Sequence, residues 1–258
     1  MDSILEVKNC IKFFYKKGKE KLYAVDDVSF CLKKGEVLGI IGESGCGKST
    51  VAKLVTCLLD CDGGSVFIGG KELSKLKGRK KREVYRKIQM VFQNPVGSFD
   101  PKKTLGYGIA ESLKNQRSPK LTNAQIEEKV CQTLVQCGLT ADYAQKYSNE
   151  VSGGECQRAA IARSLIIEPE ILICDEATSS LDVTIQKQIM DLLTELKTKN
   201  NLSIIFICHN FALVQQFCDW VLVMQGGKIV EEGEPNQIIN FPKTPYTKNL
   251  VDSVYTME

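Results

Sequence analysis

The sequence predicts an α/β fold: a parallel sheet flanked by helices, with an antiparallel β segment at the start and a helical stretch inserted midway. Three observations carry this prediction. Residues 36–41, 171–174 and 203–208 are short apolar runs, the last two of the kind expected for strands buried on both faces. The first run ends in a glycine-rich turn followed by a helical pattern, and the other two each deliver polar residues at their C-terminal ends. From about residue 94 to residue 150 the apolar spacing turns helical.

Taken in order, residues 5–8 and 22–32 alternate apolar and polar side chains and read as antiparallel strands. A helix is expected from about Lys48 to Leu59, directly after the glycine-rich turn. Inside the insertion, Thr122-Asn123-Ala124-Gln125 has capping-box form, and Ile126, Val130, Leu134 and Cys137 recur at helical spacing. The later apolar runs end in Asp175-Glu176 and in His209, and in open α/β sheets ligands gather at that edge. Residues 221–224 and 228–230 flank Gly226-Gly227, a hairpin signal. No internal repeat or low-complexity segment interrupts the pattern.

Composition narrows the function classes. The 258 residues suffice for one large domain, and 43% hydrophobic with 25% charged residues is ordinary for a globular protein. A net charge of +3 gives no reason to expect a nucleic-acid partner. The basic run at 75–82 reads as a solvated loop or helix face. No apolar run approaches the ~20 residues that span a bilayer, and residues 1–6 carry an early acid and no apolar core of signal-peptide length. Eleven cysteines accompany a single histidine and no Cys-x-x-Cys, which favours free thiols over a disulfide framework or a zinc site. Cys31, Cys174 and Cys208 fall in apolar runs and are expected to pack as small hydrophobes.

The chemistry begins at Gly42-Glu43-Ser44-Gly45-Cys46-Gly47-Lys48-Ser49, a match to G-x-x-x-x-G-K-[ST] at a strand-to-helix junction, followed by Thr50. Glycines let the backbone wrap close to phosphate oxygens, and the following helix adds its positive end. Lys48 is placed to reach the β- and γ-phosphates of a nucleotide, and the Ser49 hydroxyl to bind Mg²⁺. Asp175, at the end of a buried strand, suits Mg²⁺ coordination, and the adjacent Glu176 suits the orientation and deprotonation of an attacking water.

A second phosphate grip follows. Ser152-Gly153-Gly154 opens a helical run, and Val151 to Glu155 with Cys156-Gln157-Arg158 resembles the signature sequence of the ABC ATPases. That resemblance implies a P-loop NTPase (RecA-like) core with an N-terminal antiparallel β-subdomain and an inserted helical subdomain. Residues 1–93 and 159–258 would form the core of a single domain and residues 94–158 the helical subdomain. It implies ATP and Mg²⁺ as cofactors, and a head-to-tail dimer in which the signature of one subunit (Ser152, Gly153, Gly154, Gln157) completes the ATP site of the other. Gln93 is similar to the Q-loop glutamine that links Mg²⁺ and water to the helical subdomain, Ser179 to Asp182 to the D-loop, and His209 to the switch histidine on the γ-phosphate. Tyr15 is similar to the aromatic that stacks on adenine, with Tyr23 and Phe14 as rivals. Val151 stands where leucine is usual, Glu155 where glutamine is commoner, and Cys156 is atypical. Cys46 inside the phosphate loop makes ATP binding a candidate for thiol sensitivity.

Residues 92–101 resemble the Q-loop region of peptide and nickel importers, and residues 241–248 that subgroup's His-Pro-Tyr-Thr box, with Thr244 replacing the histidine. The resemblance implies an ATPase subunit energising uptake of peptides or nickel chelates on the cytoplasmic face of the membrane. Its partners would be a second ATPase, identical or different, two transmembrane permeases and an extracellular or periplasmic solute-binding protein. With no cysteine beyond Cys218, no iron–sulfur cluster is expected in the tail. An exporter ATPase and a non-transport ABC ATPase are the alternatives.

Overall fold

The computed structural model describes residues 3–16, 20–73, 76, 78–114, 121–178 and 181–255. Lys75 and Lys77 of the basic run, and Ser179 and Ser180, lie outside the described residues. The chain opens with β1 (Ser3–Tyr15), β2 (Lys21–Lys33), β3 (Val37–Ile41) and α1 (Lys48–Val55). It continues through β4 (Gly63–Ile68), β5 (Lys71–Glu72), α2 (Arg79–Lys87), β6 (Ile88–Val91), α3 (Leu105–Lys114), α4 (Asn123–Gln136) and α5 (Gly153–Leu165). The last part holds β7 (Ile171–Asp175), α6 (Val183–Asn200), β8 (Ser203–Ile207), α7 (Phe211–Phe217), β9 (Trp220–Gln225), β10 (Lys228–Gly233), α8 (Pro235–Asn240) and α9 (Pro245–Tyr255).

Two sheets form. One is antiparallel in the order β2-β1-β4-β5; the other runs β10-β9-β3-β8-β7-β6. In the second, β9, β3, β8, β7 and β6 pair parallel and β10 closes the edge as an antiparallel hairpin. Its central strands are buried along their whole length, as their unbroken apolar runs require. The period of two then splits the core. Val37, Ile41, Leu172, Cys174, Ile204 and Phe206 face a cluster shared with α3, α4, α5 and α6. Leu38, Ile40, Ile171, Ile173, Ile205 and Ile207 face the other cluster, shared with α1 and the antiparallel sheet.

Local chemistry explains where the elements stop. Helix α1 ends at Val55, short of the expected Leu59, because residues 53–58 close a Schellman motif. Cys57 takes a left-handed φ of 56°, its amide donates to Leu54 O and the Leu58 amide donates to Lys53 O. Helix α4 starts as expected, with Thr122 and Gln125 forming a complete capping box. Helix α5 runs unbroken through residue 158, so the expected boundary between 158 and 159 cuts a continuous helix. Cys31 is exposed between buried Phe30 and Leu32, because β2 has one face on the core, whereas Cys174 and Cys208 are buried.

The tail is anchored from β10. The Glu231 carboxylate accepts the Lys243 amide at 2.8 Å and the Thr244 amide at 3.1 Å, and Thr244 Oγ1 accepts the Thr247 amide at 3.1 Å. Thr244 thereby caps α9 with Pro245 at its first position, a job well suited to the threonine that replaces histidine. Burial pushes the Glu231 pKa up, but hydrogen bonds from Thr247 and the two amides outweigh it and hold it below the usual glutamate range. A depressed folded pKa adds stability that is present above the unfolded value and disappears as pH falls through the folded one. Glu231→Gln therefore lowers the unfolding free energy at pH 7 by about 1–3 kcal/mol. In urea titrations across the acid range, that deficit shrinks as wild-type Glu231 protonates.

Candidate nucleotide-binding site

The loop between β3 and α1 turns back on itself through residues that only glycine fits. Gly47 has φ 113° and Gly42 has φ 148°, and a Cβ on either would sit 2.2 Å from a carbonyl oxygen, Ala24 O or Met224 O. Neighbouring backbone thus presses on the loop from two sides. The hairpin adds a third brace, since the Gly227 amide donates to Cys46 O at 2.9 Å. Lys48 is buried within this ring, its ammonium donating to Gly42 O at 2.7 Å and Glu43 O at 2.8 Å. Cys46 is also buried, with its sulfur 3.8 Å from Lys48 Nζ. Ser44, Gly45 and Thr50 complete the turn and the first helical residues, Ser44 and Gly45 being exposed.

Adjacent strands in the order β3-β8-β7-β6 end at the same edge, and each delivers a functional group. Ser49 Oγ donates to Asp175 Oδ1 at 3.0 Å, joining α1 to the end of β7. Burial raises the Asp175 pKa, and the Ser49 hydrogen bond opposes that rise. The next residue, Glu176, turns out of the strand at a left-handed φ of 49°, with its amide on Ile207 O of β8 at 3.0 Å. Its carboxylate accepts a 2.7 Å hydrogen bond from Gln93 Nε2, just past β6. His209 is exposed just past β8. Hard oxygen donors at Ser49 and Asp175, held together, are a donor set that fits Mg²⁺.

Tyr15 ends β1 at 65% exposure. Phe13 pairs with Tyr23 across the sheet and meets Tyr15 edge-on at 5.5 Å, so by strand alternation Tyr15 and Tyr23 share a face that Phe14 does not. Ser152 and Gly153 are exposed at the mouth of α5. Ser152 Oγ accepts the Glu155 amide and Glu155 Oε2 accepts the Ser152 amide at 2.7 Å, while Tyr143 donates to the other carboxylate oxygen. Glu155 for glutamine therefore preserves a capping box, in which either residue serves. Cys156 is fully buried, and Val151 packs against the larger core cluster. Gln157 is 1% exposed, with its Nε2 lacking a hydrogen-bond partner among the described residues. Its burial on α5 sets it behind the exposed Ser152 and Gly153 of the same signature. Of the D-loop segment, Asp182 caps α6 by accepting the Ile185 amide.

Two residues that sequence reasoning did not assign reach this site. The Tyr246 hydroxyl accepts the Glu43 amide at 3.0 Å, and the Gly227 turn braces the loop as described above. The tail motif flagged Tyr246 only as a subgroup mark; nothing local to it signals a partner 203 positions away.

A glycine-rich loop between a parallel strand and a helix, a buried lysine inside it, and a serine–aspartate pair beside it define a P-loop nucleotide-binding protein. The description "ABC transporter" matches residues 25–179, more than half of the chain, and the chain belongs to that family and binds ATP. Among curated relatives, the oligopeptide transport ATP-binding protein OppF of Haemophilus influenzae is 44% identical over 96% of this chain and 74% of its own length. The dipeptide transport ATP-binding protein DppF of Escherichia coli is 39% identical over 89% of this chain and 68% of its own. Among solved structures, a dimeric post-hydrolysis ATP-binding cassette bound to ADP and Pi superposes with a TM-score of 0.82 at 28% identity. It covers 90% of this chain and 98% of that one.

Because Tyr246 serves the loop's shape, Tyr246→Phe raises the KM for ATP about 3- to 10-fold, the worth of roughly one hydrogen bond, while kcat stays close to wild type. Steady-state ATPase kinetics check this split.

Proposed function

We propose that this chain is the ATP-hydrolysing subunit of an ABC importer that takes up peptides through membrane permeases. The observation that supports it most is the closure of two pairs, Ser49–Asp175 and Gln93–Glu176, beside one phosphate loop. Lys48 exchanges its loop carbonyls for β- and γ-phosphate oxygens, and the loop amides and the start of α1 neutralise the phosphate charge. Glu176 orients the attacking water and takes its proton, Gln93 holds Glu176 and senses the site, and His209 meets the γ-phosphate. Tyr15 stacks on adenine. Ser49 and Asp175, with Gln93 nearby, would hold Mg²⁺, which would supply positive charge against the negative charge of phosphoryl transfer.

Ser152, Gly153 and Gly154 serve the other subunit of a head-to-tail dimer. Two features support that reading: Ser152 and Gly153 are exposed at the helix mouth with Gly154 buried behind them, and the side-chain hydrogen bonds of Ser152 and Glu155 stay within the capping box and with Tyr143. Residues 94–158 act as a lever between this site and the permeases. A groove of about 650 Å³ supports the coupling; it is lined by Phe92, Asn94, Gly97, Glu111 and Arg163 and lies beside the Gln93 loop. No described helix is long and apolar enough to cross a membrane, and the subunit docks on permeases at the cytoplasmic face. Peptide and dipeptide relatives, with a glutathione importer among them, favour peptides as cargo and lend no support to nickel. A solute-binding protein outside the membrane and a second ATPase complete the assembly.

Glu176→Gln reduces ATP turnover by about 10²- to 10⁴-fold, the worth of a general base. With ATP and Mg²⁺ it elutes as a dimer on size-exclusion chromatography if the chain pairs with itself; a variant that hydrolyses ATP at the wild-type rate overturns the reading. Alkylation of buried Cys46 abolishes ATPase activity, and ATP slows the labelling; full activity at complete labelling refutes this.

A further inference from the structure

The two sulfurs of Cys10 and Cys61 lie 2.7 Å apart, although the residues are 51 positions apart in sequence. Cys10 sits in mid-β1 at 1% exposure, and Cys61 is half-buried in the connection from α1 to β4. Hydrogen bonds between Asp62 and the residues that follow Cys10 fix this approach. The Asp62 amide donates to Ile11 O at 2.8 Å, the Phe13 amide donates to Asp62 Oδ2 at 2.9 Å, and Lys12 reaches Asp62 Oδ1 at 3.1 Å. The backbone next to each cysteine is therefore locked to the backbone next to the other. A disulfide bond is only about 0.7 Å shorter than the present separation. A cavity of about 450 Å³, lined by Cys57, Asp60, Cys61 and Lys81 among others, gives small solutes a route to the Cys61 sulfur.

We propose that Cys10 and Cys61 form a reversible redox pair, oxidised to a disulfide by hydroperoxides, with Cys61 as the attacking thiol and Cys10 as the resolving one. The Cys61 thiolate attacks the peroxide O–O bond; its sulfur takes one oxygen as a sulfenic acid, and the other oxygen leaves as an alcohol or water once protonated. Cys10 sulfur then attacks Cys61 sulfur, the S–S bond forms, the S–O bond breaks, and the departing hydroxide takes the Cys10 proton as water. Two thiols lose two electrons and the peroxide gains two. The division of labour follows from surroundings. A hydrogen bond from Cys10 holds the Cys61 thiol below the usual cysteine range; burial works against this, and the Lys12 charge adds to the lowering. Cys10, the partner in that bond and buried, is pushed up. A lowered, half-exposed thiol reacts first, and a buried one within reach resolves it. The enclosed segment contains the whole phosphate loop and α1, so the link constrains the unfolded chain around the nucleotide site.

The test uses the reduced full-length chain, treated with stoichiometric hydrogen peroxide, alkylated, digested and mapped by mass spectrometry. The expected product is a peptide pair joined through Cys10 and Cys61, with free thiols falling from eleven to nine and restored by dithiothreitol. The melting midpoint rises by several degrees on oxidation. In Cys10→Ala, Cys61 is trapped by dimedone as a sulfenic acid. Recovery of both cysteines as alkylated thiols from the wild-type chain, or a Cys57–Cys61 link in place of Cys10–Cys61, overturns the proposal whether or not the variant folds.

Discussion

A single hydrogen bond from Ser49 to Asp175 joins the start of the helix after the phosphate loop to the end of a strand 126 positions later. It is possible because β3 and β7 are separated only by β8 in one parallel sheet, so their C-terminal ends open on the same edge. The same adjacency sets Glu176 against the backbone of β8 and against Gln93 beyond β6. Asp175, Glu176 and His209 thus follow from strands, β7 and β8, whose faces are both buried. The site's geometry is a property of the sheet order, with the loops contributing the reach.

The phosphate loop itself has little freedom of its own. β2 presses on it at Gly47, β9 at Gly42, the following turn holds Cys46, and the tail holds Glu43. These four contacts come from three segments, β2, the β9 hairpin and the tail, and they preorganise the amides that a nucleotide would meet. Preorganisation of this kind lowers the entropy lost on binding. The tail's contact depends in turn on Glu231, which fixes where α9 begins. A carboxylate on the edge strand therefore supports the nucleotide loop through two intermediates.

Much of this was legible in the sequence because the signals are local. The loop motif spans eight residues, Thr122 and Gln125 announce their cap within four, and the apolar runs at 171–174 and 203–208 can only be interior strands. What stayed hidden depends on distant partners or on backbone that violates its usual residue preference. Helix α1 ends at a left-handed turn occupied by Cys57, where glycine would have given the stop away. Cys31 reads as apolar in the run but faces water, since only one side of β2 meets the core. Gln157 reads as part of a polar signature but is carried inward by the turn of α5. The bond from Tyr246 to Glu43 has no local trace at all.

The left-handed backbone at Glu176 carries a wider consequence. A residue with a side chain is destabilised by roughly 1–2 kcal/mol in that region, where a glycine would stand freely. The strand must end abruptly for the carboxylate to swing out of the sheet's plane toward Gln93, and that swing sets its aim before any rotamer does. The protein therefore holds the Glu176 carboxylate under tension, like a drawn latch, with stability given up at one backbone position to keep the group pointed at Gln93.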